Sequence, residues 1–146
     1  MRELTIEPVP VSDALKAALT SAGLLTDDLE GADRAYFALV DSDGGIVGYS
    51  GVETCDDACV LLRSVVILPE FQSRGIGRRL VELTLSSLPI DAEVYLATTS
   101  AAPFFESFGF TPVARDQAPK AILLTRQLSG LCPASATIMK LNRPPT

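Results

Sequence analysis

The segment Val65–Arg79 holds the residues best suited to contact a ligand. It reads V-V-I-L-P-E-F-Q-S-R-G-I-G-R-R, so an apolar run ends at Pro69 and a loop with Gly75 and Gly77 leads into a helical pattern. Glycines let the backbone approach a ligand closely and point successive N–H groups outward. The helix N-terminus adds unpaired donors and the positive end of its dipole. The segment therefore predicts an anion site, most naturally for a diphosphate.

Three arginines in this loop, Arg74, Arg78 and Arg79, form a dense basic cluster in a chain with 12 basic and 18 acidic residues. On the G-x-G pattern alone, tight packing beside solvated arginines would be the better interpretation. A Walker A loop needs Lys and then Ser or Thr after its second glycine, where two arginines stand, so a nucleotide-binding loop is disfavoured. A dinucleotide fingerprint needs a third glycine at the position of Leu80.

The chain contains no histidine, which excludes a Ser–His–Asp triad, a histidine base and a His-rich metal site. Cys55, Cys59 and Cys132 are too few for a disulfide framework or a four-cysteine zinc site. We interpret Cys55 and Cys59 as ordinary strand residues in a reducing compartment, and no metal site is predicted.

Arg63 interrupts the apolar stretch Ala58–Leu68. Burying its charge unpaired would cost at least about 3 kcal/mol. Two interpretations follow. Arg63 either pairs with an acid of a neighbouring strand, or it lines a ligand pocket and binds a carboxylate or phosphinate oxygen with its planar fork.

The predicted elements that position these residues form one domain, 1–146, with a mixed α/β sheet. Antiparallel hairpins come first, and strands then alternate with helices. Ser12 caps the first predicted helix, which ends at Gly23, and the second runs from Gly75 to Pro89. The other predicted elements are helices at Pro103–Phe108 and Pro119–Leu128, and strands at Thr5–Val9, Arg34–Val40, Ile46–Glu53, Ala58–Leu68, Glu93–Ala97, Phe110–Ala114 and Ser135–Leu141.

The formal net charge of −6 argues against a nucleic-acid partner, because a phosphate-backbone binder needs a basic face. Met1–Val11 carries acids and prolines where a signal peptide would be apolar, and Ala58–Leu68 is too short to span a bilayer. We therefore expect a soluble cytoplasmic protein with no membrane partner.

Two motifs resemble the GNAT superfamily of acyl-CoA-dependent N-acyltransferases. Its signature Q/R-x-x-G-x-G/A is present as Gln72–Gly77, and an aromatic–Glu–x–x–Gly–Phe run as Phe105–Phe110. The resemblance spans about Arg34–Ala114. It implies the GNAT fold, a central and mostly antiparallel sheet with a splayed parallel strand pair, flanked by helices.

The resemblance also implies acetyl-CoA as cosubstrate and a small-molecule amine as acceptor. In GNAT enzymes the diphosphate binds loop N–H groups, here from Ser73 to Arg78. The pantetheine arm and acetyl carbonyl follow the preceding strand, where the N–H of Val66 or Ile67 would face the oxyanion. The amine attacks directly, so Cys132 need not be a nucleophile. The residues thus assigned to acetyl-CoA are Val65, Val66, Ile67, Gln72, Ser73, Arg74, Gly75, Ile76, Gly77, Arg78 and Phe105.

Without histidine, a carboxylate, a tyrosine or a chain of water must take the proton of the incoming ammonium. Glu53 is the first candidate base, with a solvated hairpin acid as its alternative role, and Asp27 and Asp28 are weaker candidates. Many members protonate the leaving thiolate with a tyrosine where this chain has Phe105, which cannot donate a proton. Thr99, Ser100 or water would have to assist. A CoA-binding module without turnover is therefore the alternative function.

A narrower resemblance points to the GNAT branch associated with bacterial arsenic-resistance operons. It rests on Leu62–Ser64, Thr98–Thr99, Phe104–Phe105 and Leu131–Ala136. It implies an amino-acid-like acceptor with an arsinic or phosphinic group. A homodimer is a frequent state in the superfamily. The candidate acceptor residues, each with an ordinary structural role as its alternative, are Arg63, Ser64, Tyr36, Arg115 and Ser135.

Overall fold

The computed structural model describes residues 4–24, 26, 29–30, 33–55, 59–72, 75–89, 91–98, 101–123 and 136–141. The strands hydrogen-bond in the order β1-β2-β3-β4-β5-β7-β6, and the β4–β5 pair is parallel. The mixed α/β sheet predicted from the sequence is confirmed. The strands are β1 (Thr5–Val9), β2 (Arg34–Val40), β3 (Ile46–Thr54), β4 (Cys59–Ile67), β5 (Glu93–Thr98), β6 (Phe110–Val113) and β7 (Thr137–Leu141), and the helices are α1 (Asp13–Ser21), α2 (Ile76–Ser86), α3 (Ala102–Glu106) and α4 (Lys120–Leu123).

Local sequence signals account for the element boundaries. The hydroxyl of Ser12 accepts a hydrogen bond from the N–H of Leu15, so it caps α1 as predicted. Gly23, with φ 74°, follows the end of the same helix. The helix predicted at Pro119–Leu128 is described as α4 up to Leu123, and its remaining residues lie outside the described part of the chain.

The chain forms two compact units. The first comprises Met1–Glu53 and Leu62–Ile90. One face of its strands, which we call the α1 face, buries Tyr36 and Ala38 against Leu15 and Leu19 of α1. Neighbouring residues of a strand point to opposite faces. The other face, the α2 face, accordingly buries a cluster of residues against α2, among them Leu39, Val47 and Leu80.

Buried polar groups in the first unit find partners within it. Asp41 Oδ1 accepts from the backbone N–H groups of Asp43 and Gly45, which closes the β2–β3 turn. On the α2 face, the hydroxyl oxygens of Ser50 and Thr84 lie 2.7 Å apart, and Thr84 donates to the carbonyl of Leu80. The hydroxyl of Ser50 is therefore the donor to Thr84, and the pair fixes α2 on β3.

The second unit comprises Thr54–Leu61 and Asp91–Thr146. Its parallel ladder joins Cys59–Leu61 to Glu93–Tyr95, and β7 pairs with both β5 and β6. Ile122 of α4 is completely buried in its core. In the described part of the chain, no helix has the length and apolar character needed to cross a membrane.

The two described cysteines are free thiols, and only one is a strand residue. Cys59 is buried at the start of β4, whereas Cys55 follows the last residue of β3. The prediction that both are strand residues is therefore wrong for Cys55. Its N–H donates to the carbonyl of Cys59 at 2.9 Å, so this cysteine closes the hairpin instead of extending its strand.

Candidate active site

The predicted anion loop connects β4 to α2. After β4, Pro69–Phe71 forms a single turn of 3-10 helix, and Gly75 is the N-cap of α2 with a left-handed φ of 73°. Gly75 is exposed, and no side chain caps the helix from this position. The first-turn N–H groups, including those of Ile76 and Gly77, thus point to a helix end that a ligand oxygen can approach. Ser73 and Arg74 lie outside the described residues.

Strand β4 reverses its alternation just before this loop. Arg63 lies on the α1 face, where its Cγ is 3.4 Å from the position that a Cβ of Gly51 would take, beside the ring of Tyr36. A regular strand would place Val65 on the same face, yet Val66 packs there, and Val65 and Ile67 pack on the α2 face. Ser64 absorbs this offset with a φ of 58°, the only positive φ of a non-glycine residue in the described part of the chain.

Two hydrogen bonds hold the end of β4 in place. The N–H of Leu68 donates to the carbonyl of Val47 on β3 at 2.9 Å. The side-chain amide of Gln72 donates to the carbonyl of Ile67 at 3.0 Å. Gln72 was predicted to contact the cofactor; here its amide ties the loop to the strand.

Glu53 and Arg63 form a buried ion pair on the α1 face. Arg63 Nη1 donates to Glu53 Oε1 at 2.8 Å, and Arg34 Nε lies 3.5 Å from the same oxygen. Arg34 and Glu53 face each other directly in the β2–β3 register. Of the two interpretations of Arg63, a pair with an acid of a neighbouring strand is therefore present. The alternative of a solvated acid is wrong for Glu53, because its residue is only 3% exposed.

Tyr36 lies beside this ion pair and is also buried. Its hydroxyl donates to the carbonyl of Leu29 at 2.7 Å. Its ring atoms come within 2.7 and 2.8 Å of the position that a Cβ would take at Gly51, so a glycine is required there for the ring to lie flat on β3. The interaction of Tyr36 with Leu29 ties the segment between α1 and β2 to the sheet.

The aromatic motif of the second unit forms α3 and the start of β6. Phe105 is 8% exposed, and its ring makes edge-to-face contacts with the rings of Phe104 and Phe110 at 5.1 and 5.8 Å between centroids. Phe104 is the more accessible ring, at 38% exposure. Thr98 Oγ1 accepts from the N–H of Ala101 just before α3.

A family model described as "Acetyltransferase (GNAT) domain" matches residues 33–112. The chain belongs to this family. The match spans β2 through most of β6, including β4, the Gly75 loop and α3. It confirms the predicted GNAT acetyltransferase domain.

Relatives of known sequence or structure support the GNAT assignment. An uncharacterised N-acetyltransferase of Chlorobaculum tepidum is 28% identical over 88 residues, which is 59% of this chain and 56% of that protein. The chain thus spans about half of this curated relative. The N-acetylglutamate synthase of Neisseria gonorrhoeae, complexed with coenzyme A and N-acetyl-glutamate, is similar with a TM-score of 0.74 and 18% identity, over 97% of this chain and 36% of that chain.

A full-length structural relative has the same fold. The ribosomal-protein-S18-alanine N-acetyltransferase of Escherichia coli is similar with a TM-score of 0.66 and 19% identity, over 95% of this chain and 93% of that chain. At this identity the similarity shows the GNAT fold alone. The fold predicted from the two sequence motifs is therefore confirmed.

Some of the remaining predicted site residues of this GNAT domain are described and exposed, and the others lie outside the described part of the chain. Arg115 is exposed at the start of a turn of 3-10 helix, Arg115–Gln117, in the second unit. Arg78 is exposed in the first turn of α2. Within the described ranges, no group of three or more His, Cys, Asp or Glu residues is placed to hold a metal ion. The predicted residues outside the described part of the chain are Asp27, Asp28, Ser73, Arg74, Thr99, Ser100, Cys132 and Ser135.

Sequence reasoning missed a titratable cluster on β5 and β7 of the GNAT domain. Lys140 Nζ lies 3.4 Å from Glu93 Oε1 and 5.8 Å from the centre of the Tyr95 ring. Burial, followed by the charge of Glu93, raises the pKa of Tyr95 above 10.0. Interaction with Tyr95 raises the pKa of Lys140 above 10.5. Tyr95 and Lys140 meet because they face each other in the β5–β7 register. The sequence of either strand alone does not indicate this register.

Proposed function

We propose that this protein transfers the acetyl group of acetyl-CoA to the amine of a small molecule. One observation carries the proposal: an exposed helix N-terminus, opened by left-handed Gly75, is the next α-helix end after a strand whose alternation reverses at Ser64, and a short loop joins the two. The helix end suits the CoA diphosphate. A strand segment out of regular register offers backbone groups to the pantetheine arm and the acetyl carbonyl. Membership of the GNAT family supports both assignments.

The proposed reaction is a direct transfer within a ternary complex. The neutral amine attacks the thioester carbonyl, and the backbone N–H of Val66 or Ile67 stabilises the oxyanion. The tetrahedral intermediate then collapses, the C–S bond breaks and CoA leaves as the thiolate. A thiol pKa of about 8.5 makes the thiolate an adequate leaving group without a phenolic acid at Phe105. The nitrogen loses one proton as the amide forms, and water, Thr99 or Ser100 would relay that proton to the CoA thiolate.

Proton removal from the incoming ammonium is proposed to run through water, with Glu53 as the first candidate to receive the proton. Its Oε1 lies within 2.8 Å of Arg63 and 3.5 Å of Arg34, so its carboxylate also organises two guanidinium groups. A role in proton transfer and a role in positioning predict different results for Glu53→Gln. Loss of a base changes the pH profile of kcat, whereas loss of positioning raises the KM for the acceptor.

We propose an acceptor that carries a carboxylate or a similar oxyanion beside its amine. Arg63, Ser64 and Tyr36 are the proposed acceptor contacts, whereas the roles of Arg115 and Ser135 stay predictions from the sequence. An amino-acid-like arsinic or phosphinic compound is the narrower substrate, on the resemblance carried by Leu62–Ser64 and Leu131–Ala136. The N-acetyl-glutamate in the neisserial relative supports the broader class of amino acids. A cytoplasmic location and a homodimer belong to the same proposal.

The test measures thiol release from acetyl-CoA with the full chain and a panel of acceptors. The panel contains amino acids, their phosphinic and arsinic analogues, and an alanine-terminated peptide. Release with an amino acid or an analogue, but not with the peptide, supports the proposal. CoA binding by calorimetry without release for any acceptor would instead support a binding module, which Phe105 keeps as the second candidate. Failure to bind CoA at all would overturn both functions.

A further inference from the structure

We propose that Gly48 is a positioning residue for acetyl transfer, because only the absence of a side chain on β3 lets the end of β4 take its place. The inference rests on the proposed function, in which Val65, Val66 and Ile67 hold the acyl group. Gly48 does not belong to this set. It lies on β3, outside the motifs Gln72–Gly77 and Phe105–Phe110.

The space at Gly48 is closed by backbone. A Cβ on this residue would lie 2.6 Å from the carbonyl oxygen of Val66, 2.9 Å from Cδ1 of Ile67 and 3.4 Å from Cα of Ile67. Real Cβ atoms essentially never approach a heavy atom within 3.0 Å. The Ile67 methyl could rotate away, but the Val66 carbonyl could move only with β4 itself.

Conformation does not explain this glycine. Gly48 lacks the left-handed φ of Gly75 and Gly44, so its φ does not require a glycine. The space beside Val66 and Ile67 does require one. We therefore expect a larger residue to displace the Val66–Ile67 peptide.

The orientation of that peptide determines which donor faces away from β3. The Val66 carbonyl lies against Gly48 on β3, and in a trans peptide the next N–H, that of Ile67, points the opposite way. The following peptide agrees, because the N–H of Leu68 points to Val47 on β3 and the Ile67 carbonyl accepts from Gln72. Between the two candidate oxyanion donors, the geometry therefore favours the N–H of Ile67. Gly48 sets its direction.

The test is Gly48→Ala, with Gly45→Ala as the matched control. A Cβ at Gly45 would have Asp41 Oδ1 as its nearest neighbour at 3.5 Å, an ordinary contact, so this control should keep the wild-type kcat. We expect Gly48→Ala to lower kcat by about 10²-fold, the scale of losing one oxyanion donor or of a 1 Å misplacement. The Kd for CoA should rise by no more than about tenfold, because the pantetheine contacts on β4 shift while the diphosphate loop keeps its glycines.

Thr84→Val separates misplacement from general destabilisation of β3. It breaks the hydroxyl pair with Ser50 on β3 and changes none of the proposed site residues. If Thr84→Val lowers kcat as much as Gly48→Ala does, at an equal loss of unfolding free energy, the positioning role is contradicted. The same holds if Gly48→Ala keeps the wild-type kcat.

A second arm examines the backbone contact directly. Ile67→Val removes the Cδ1 atom but leaves the Val66 carbonyl, so adding it to Gly48→Ala should not restore kcat. Full restoration would show that the side chain, and not the peptide, is what the new methyl displaces. A wild-type protein that binds no CoA would instead refute the proposed function itself. In that case a changed Ile67 amide resonance in Gly48→Ala would still confirm the displacement of β4, and an unchanged one would refute it.

Discussion

Arg63 Nη1 lies 2.8 Å from Glu53 Oε1, and both side chains are buried on the α1 face. Arg34 adds a second guanidinium at 3.5 Å. Desolvation of such charges is costly, so a buried pair adds little net stability but is strongly destabilising when one partner is removed. The pair therefore acts mainly by fixing the positions of the side chains of Arg34, Glu53 and Arg63 relative to one another.

Glu53→Gln should lower the free energy of unfolding by about 3 kcal/mol, because it leaves the buried Arg63 charge without its carboxylate. Arg63→Met should do the same. The double variant should be about 2 kcal/mol more stable than the sum of the single changes predicts. Urea denaturation measures all four proteins.

The control for this cycle is Lys140→Met. It removes the ion pair with Glu93, whose two side chains are 37% and 46% exposed, so the change should be below about 1 kcal/mol. If the changes in unfolding free energy of the two single variants simply add in the double variant, the contact between Glu53 and Arg63 contributes no stability.

Gly75→Ala should weaken CoA binding by about tenfold, since an L-residue resists the left-handed conformation that opens the helix end. Gly23→Ala is a closely matched control. Gly23 has φ 74°, Gly75 has φ 73°, and neither has a heavy atom within 4 Å of the added Cβ. Both variants should lose about 1 kcal/mol of stability, but only the first should change the Kd from calorimetry. If the two variants have equal Kd values for CoA, the loop at Gly75 does not bind CoA.

Ser64→Gly should leave kcat unchanged, whereas Ser64→Val should lower it. Glycine accepts the φ of 58° freely, so the offset in β4 and the kcat should be kept, with stability changed by less than about 1 kcal/mol. A β-branched valine resists this φ, so β4 should return towards regular alternation and kcat should fall by at least about tenfold. Steady-state kinetics at saturating acetyl-CoA distinguishes them. A fully active Ser64→Val enzyme would contradict a role for the offset.

Thr84→Val should cost about 1–3 kcal/mol, because the buried hydroxyl of Ser50 then loses its acceptor. The combined Ser50→Ala and Thr84→Val variant should recover most of this loss, since neither polar group remains unsatisfied. Ser86→Ala, which removes an exposed hydroxyl on the same helix, is the control and should change stability by less than about 0.5 kcal/mol. Thermal unfolding gives the comparison.

Stability should fall as the pH rises above 10. The folded-state pKa values of Tyr95 and Lys140 are raised, so these groups keep their protons in the folded protein at a pH where the unfolded chain has begun to lose them. Their contribution is complete below the unfolded values of 10.0 and 10.5 and is lost as the pH passes through the folded values. Urea denaturation between about pH 8 and pH 11 should give a shallower decline for Tyr95→Phe. An identical decline would contradict the coupling.

The elements that carry local signals were predictable from sequence. Turn residues, the Ser12 cap and the glycine before α2 place most boundaries within one or two residues, because each signal acts over a few neighbouring positions. The loop at Gly75 was predictable for the same reason. Its side chains were less so, since Gln72 bonds to the strand end instead of pointing to an expected ligand.

The features that the sequence did not reveal depend on how residues of neighbouring strands are paired and on which face of the sheet they occupy. Nothing in the run Leu62–Ile67 marks Ser64 as left-handed, because serine has no strong preference for that conformation, and the offset shows only in which faces Val65 and Val66 occupy. Likewise, the sequence predicts Glu53 either as a solvated acid at the end of a hairpin or as the base of the active site. Its pairing with Arg34 follows from the cross-strand register, which no residue spacing along one strand encodes.

Burial of Phe105 constrains the evolution of this chain. A tyrosine at this position would add a hydroxyl to a buried ring that packs on Phe104 and Phe110, and a buried phenol needs a hydrogen-bond partner. A tyrosine at this position would therefore require a second change that gives the new hydroxyl a partner. The packing of this aromatic core and the absence of a phenolic acid at position 105 are thus linked.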